Sequence, residues 1–171
     1  MNDVKKGIEN TIELPFKLIE IEKSGEQFVF AFKCFDDNQN DYSLKMGGVT
    51  GKFEITYRCP GINSGFLCDL TVGNVYQFYL DLDNAYNIQL GKDIKVIMHD
   101  YSEDRTMLTF SFDKTGHCVV GGLFKNDENG CRNGICFDGI EIDQTDIPSM
   151  LTAMKKLFAE FVRIQGHSNF Y

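Results

Sequence analysis

The sequence predicts an α+β fold: antiparallel sheet or sheets with two main helices, in the order strands, helix, strands, helix. Two observations carry this. Apolar residues alternate with period two through most of the chain, and the period lengthens to three or four around residues 75–90 and again around 150–162. Strands and helices segregated in this way favour an antiparallel arrangement over a parallel doubly wound one. At 171 residues, with 43% hydrophobic and 13% aromatic content, the chain (1–171) has the size and the apolar material for a single domain with its own core. The stretches 12–91 and 92–166 each read as strands followed by a helix, a faint duplication of pattern without a residue-level repeat.

In QFVFAFKCF, Phe28, Phe30 and Phe32 fall on one face; in GKFEITYRC, Phe53, Ile55, Tyr57 and Cys59 do the same. The intervening DDNQNDYSLKMGG is polar and turn-rich, an exposed loop leading to a short strand. Val75, Phe78, Tyr79, Leu82 and Tyr86 form one helical stripe running to about Leu90, with Gly91 as the stop. Four strands follow. Ile94, Val96 and Met98 mark the first, Leu108, Phe110 and Phe112 the second, and GHCVVGGLF the third, with the turns SEDR and DKTG between them. In the fourth, Ile135 and Phe137 have one parity and Ile140 and Ile142 the other, so a bulge at Asp138-Gly139 is needed to return all four to one face. Met150, Leu151, Met154, Leu157, Phe158, Phe161 and Val162 then form a strong helical stripe, with Lys155, Lys156, Glu160 and Arg163 opposite, ending near Gly166.

The formal net charge of −8 argues against nucleic acid or an anionic membrane as partner, because both would repel the chain at long range. The amino terminus lacks the apolar core of a signal peptide, and no run approaches a membrane span of about twenty residues. A cytoplasmic protein is expected. In that compartment the six cysteines, at 34, 59, 68, 118, 131 and 136, read as reduced thiols.

Motifs for chemistry are weak. Asp113-Lys114-Thr115-Gly116 matches the start of an aspartyl-phosphate motif, but between two alternating strands it reads as a hairpin turn. The acidic loop from Asp36 begins like a calcium loop, yet has Asp41 at the sixth position and Gly47 at the twelfth, where Gly and Glu are required. No closely spaced cysteine pair suits zinc, and His117 and Cys118, adjacent on a strand, point to opposite faces. Phosphate-binding glycine motifs are missing. No metal, no cofactor and no catalytic residue is assigned.

Asp143, Gln144, Thr145 and Asp146, followed by Pro148, read as the structural joint between the last strand and the last helix. Thr145 or Asp146 is placed to cap the helix, and Pro148 falls in its first turn.

Several segments taken together, GKFEITYRCPG, DLTVGNVYQFYLDLDNAY, LTFSFDKTGHCVVGGLF and FDGIEIDQTDIPSMLTAMKKL, resemble the WapI-type family of bacterial immunity proteins over roughly residues 50 to 162. The DQT-x-x-P joint is the most recognisable feature, and KNDENGCRNG departs from the pattern where a shorter connection is expected. The resemblance implies a non-enzyme that binds and occludes a cognate toxin domain. Surplus negative charge would steer encounter with a basic toxin. The resemblance supplies no residue-level binding site; if an acidic surface does the work, the places to look are Asp36, Asp37, Asp41, Asp81, Asp83, Glu103, Asp104, Asp127 and Glu128. The alternative expectation is a small-molecule-binding or regulatory module with an apolar pocket between sheet and helices; a hydrolase built from scattered carboxylates is a third.

Overall fold

The computed structural model describes residues 12–35, 49–88, 91–99, 106–126 and 133–165. Four strands, β1 (Phe16–Lys23), β2 (Glu26–Phe35), β3 (Thr50–Cys59) and β4 (Ile62–Thr71), pair in sequence order as one antiparallel sheet, and helix α1 (Val72–Ile88) follows directly. Four more, β5 (Ile94–His99), β6 (Thr106–Phe112), β7 (Cys118–Asn126) and β8 (Asn133–Ile142), form a second meander, followed by a 3-10 turn (Gln144–Asp146) and helix α2 (Ile147–Gln165). The fold is α+β, in the order the sequence predicts.

The expected inward residues are the core. Phe28, Phe30, Phe53, Ile55, Phe110 and Phe124 are all wholly buried. Phe28 and Tyr57 of the first sheet meet Phe137 of the second at ring-centroid distances of 4.8 and 4.9 Å, which places the two sheets in direct contact. Phe78 of α1 lies 5.5 Å from Phe110 on β6, and Tyr79 of α1 lies 5.5 Å from Phe158 of α2. Sheets and helices thus share one apolar cluster.

The bulge falls where the parity break requires it. Val120 pairs with Ile140 and Gly122 with Phe137, so Asp138 and Gly139 together oppose Gly121. Gly139 has φ +101°, a conformation that L side chains rarely adopt, and Ile135, Phe137, Ile140 and Ile142 are all buried.

Three details differ from the sequence reading. The stretch between Cys59 and the first helix is a full strand, β4, and α1 begins at Val72, capped by the Thr71 hydroxyl, which accepts from the Asn74 N–H at 3.1 Å. β1 escaped notice because a register shift between Lys17 and Ile19 buries both Leu18 and Ile19, which breaks the alternation. Glu160, expected on the solvated face of the last helix, is only 2% exposed. Its carboxylate accepts from Arg163 one turn on, with Arg163 Nε at 3.0 Å. The loop over residues 36–48, the turn at 102–105 and residues 127–132 of KNDENGCRNG lie outside the described residues.

Candidate functional site

The joint between β8 and α2 gathers the polar residues that the sequence singles out. Asp143 leaves the strand in extended conformation (φ −93°, ψ 155°), and its Oδ1 accepts the Thr145 N–H at 3.0 Å. The Asp146 carboxylate reaches back and accepts the Asp143 N–H at 2.9 Å, which completes a reciprocal capping box. Asp143 therefore caps the 3-10 turn that leads into α2, with Asp146 as its counterpart in the capping box; Thr145 contributes its N–H as donor. Pro148 is the second residue of α2, in the first turn, where an N–H needs no helical partner. The Asp146 carboxylate also lies 3.3 Å from Lys23 Nζ at the end of β1, and the Gln144 side chain donates to the Thr115 carbonyl at 3.4 Å. The joint thereby ties α2 to the β1 hairpin and to the β6–β7 turn.

That turn is the Asp113-Lys114-Thr115-Gly116 stretch. Asp113 Oδ1 accepts from the Thr115 N–H at 2.8 Å, the Thr115 hydroxyl at 2.7 Å and the His117 N–H at 3.0 Å. This is a side-chain-closed turn of the kind Asp favours. The Thr115 hydroxyl holds the Asp113 carboxyl below the usual carboxylate range, and the Thr145 N–H does the same for Asp143. A general base works best with a pKa near the operating pH. Both groups are shifted the other way and accept the local hydrogen bonds that close the turn and the joint. Cys118 is buried, and burial pushes its thiol up to about 12, while the adjacent His117 is exposed on the opposite side. The two do not meet as nucleophile and base. Among the described residues no group of three His, Cys, Asp or Glu side chains is placed to hold a metal ion.

Of the nine acidic positions singled out as a candidate toxin-facing surface, the structure describes two. Asp81 is exposed on α1 and accepts from Gln77 Nε2 at 3.0 Å; Asp83 is half-buried and accepts from Asn87 Nδ2 at 2.9 Å. Asp36, Asp37, Asp41, Glu103, Asp104, Asp127 and Glu128 lie outside the described residues.

Two surfaces are not marked in the sequence, because they form only across neighbouring strands. The outward face of the first sheet carries cross-strand polar pairs: Lys52 with Asp69 at 3.0 Å, Lys33 with Glu54 at 3.4 Å, and Arg58 Nε donating to Asn63 at 3.1 Å. The outward face of the second sheet has an uncharged centre, with the exposed Lys95, Lys125, Asp138 and Glu141 about it. In strand register, Ile97 lies beside Thr109 and Gly121, and Met107 beside Leu123 and Cys136. Period-two alternation marked these residues as outward but did not say that the two sheets would differ. A hollow of about 520 Å³ opens at the β3–β4 turn, lined by Arg58, Cys59, Gly61, Ile62 and Asn63. Among the described residues no helix is long and apolar enough to cross a membrane.

No family model and no curated protein matches the chain. Among solved structures, the plant transcriptional regulator PBF-2 shares a TM-score of 0.42 at 8% sequence identity, over 86% of this chain and 82% of that one. A likeness at that level bears on neither the fold nor the function of this chain.

Proposed function

We propose that the protein is an immunity protein that neutralises a basic toxin domain by stoichiometric binding, without catalysis. The observation that carries this reading is how the chain's charge is spent. The chain carries 25 acidic against 17 basic residues, a surplus of −8, and Lys17, Lys23, Lys33, Lys52, Lys114 and Arg163 each pair with a carboxylate of the same chain, so these six cations are locally neutralised. An uncompensated acidic field accelerates encounter with a cationic partner and disfavours other acidic surfaces. The resemblance to WapI-type immunity proteins, centred on the Asp143–Pro148 joint, supports the same reading. The joint serves it by anchoring α2, so that a rigid surface meets the toxin.

The test is co-expression with the protein encoded immediately upstream. Growth rescue and a one-to-one complex are expected, with an association rate that falls steeply as ionic strength rises. A neighbour that is harmless, or whose toxicity persists beside this protein, removes the basis of the proposal.

A further inference from the structure

The edges of the two sheets are protected unequally. β1 carries Lys17, Glu20, Glu22 and Lys23 together with a register shift, and it lies alongside β8, which carries the Asp138-Gly139 bulge. β5 is only six residues long and includes Lys95. These are the devices by which sheet edges avoid pairing with other chains.

β4 has none of them over most of its length. It forms an unbroken ten-residue ladder with β3, without a register shift, and its stretch INSGFLC contains neither charge nor proline. Among the described residues no strand pairs with its other side. Two large apolar side chains stand out in solvent here, Ile62 at 54% and Leu67 at 50% exposure.

We infer that β4 pairs antiparallel with β4 of a second copy about a twofold axis at Phe66, which joins the two first sheets into one eight-stranded sheet. The strand's own sequence favours this partner and this register. With Phe66 opposite Phe66 of the second copy, residues facing each other have numbers that sum to a constant, so inward residues meet inward ones and outward residues meet outward ones. Leu67 then lies across from Gly65, a large side chain against the position that leaves room for it. Asp69 lies across from Asn63, whose side chain already accepts from Arg58. Each outward end of the joined strands therefore reads Lys52, Asp69, Asn63, Arg58 across the sheet, the last two from the second copy, with the carboxylate flanked by cations on both sides. Moving the axis to Leu67 sets Asp69 against Gly65 and loses that complementarity.

The test is the oligomeric state of the whole chain, measured by light scattering and sedimentation over a wide concentration range. The wild type is expected to dimerise. Leu67→Lys, at an exposed position, is expected to give a folded monomer that unfolds in one cooperative transition, with a melting temperature that no longer rises with protein concentration. Arg58→Glu and Asp69→Lys are each expected to weaken the dimer about tenfold, and their combination to restore it. Ser64→Cys places a new thiol across from Cys68 of the second copy, so oxidation is expected to yield a cross-linked dimer that the wild type does not form. A wild type that stays monomeric, a dimer indifferent to Leu67→Lys, or a charge swap that fails to restore pairing overturns the inference. So does a monomer that accepts a strand only from the toxin. Because these measurements need no toxin, their outcome is independent of the immunity reading.

Discussion

The two halves of the molecule share an order of elements but not a surface. The first sheet carries cross-strand polar pairs on its outward face, and among the described residues no strand pairs with the outer edge of β4. The second has the uncharged Ile97, Met107 and Leu123 at the centre of its outward face, with Lys95, Lys125, Asp138 and Glu141 about them, and places its irregularity, the Asp138-Gly139 bulge, on the strand beside β1. Inward, the halves are alike, each lined with Phe and aliphatic side chains in one common cluster. Packing fixes the inner faces, because every methylene there is felt; the outer faces answer only to solvent and partners, so there the halves are free to differ. The sharpest test of the shared interior is Phe137→Ala. Its ring touches Phe28 and Tyr57 across the sheets, so truncation is expected to cost about 3–5 kcal/mol in chemical denaturation and to destabilise both halves in one transition. Two separate transitions would show that the halves fold independently.

Gly122→Ala probes the same interior by overfilling it. A Cβ at Gly122 would lie 2.5 Å from one carbon of the Phe137 ring and 2.6 Å from one of the Phe124 ring. Both rings are packed on other aromatics and have little room to retreat. A loss of about 1–3 kcal/mol is expected, and a neutral result would mean that the β7–β8 pair is looser than its geometry indicates.

How much of this was legible in the sequence follows from the same contrast. α2 and the strands with inward Phe were readable because a buried face repeats with a fixed period, and the β8 bulge was readable because Ile140 and Ile142 break that period by one residue. β4 was not readable. Burial alternates along it, but the inward positions Ser64, Phe66 and Cys68 are only half-buried and include a serine while Leu67 stands outward, so residue type does not follow the alternation. At the joint, residue types pointed to Thr145 or Asp146 as a helix cap, but that Asp143 and Asp146 together cap a 3-10 turn ahead of α2 needed the backbone turn itself. The outward faces were invisible for a simpler reason: which residues are neighbours across a sheet depends on register, and a single strand does not contain it.

The capping box tests a smaller effect, confined to the second half. Asp143→Ala removes the acceptor for the Thr145 N–H and is expected to lower the melting temperature by about 2–4 °C, the usual consequence of a lost cap in a domain of this size. Acid should reproduce part of this loss. Asp143 and Asp113 both have folded pKa values below their ordinary 3.8, so the stability they contribute is present above that value and is lost as pH falls through the lower, folded values. The acid limb of the stability profile is expected to flatten in Asp143→Ala. An unchanged limb would assign it to carboxylates elsewhere.

The least effect is expected on the outward face of the first sheet. Lys33 and Glu54 lie 3.4 Å apart, with their side chains 37% and 39% exposed. Water and salt screen such a pair, and holding two long side chains in place offsets much of the attraction. Lys33→Ala should therefore change stability by no more than about 0.5 kcal/mol. The substitution also deepens the negative charge, so its effect belongs in association kinetics: toxin capture in the immunity reading should become faster at low salt and more sensitive to ionic strength. A stability loss much above this bound would mean that the polar pairs hold the first sheet together, and the outer faces of both sheets would then answer to the fold as strictly as the inner ones do.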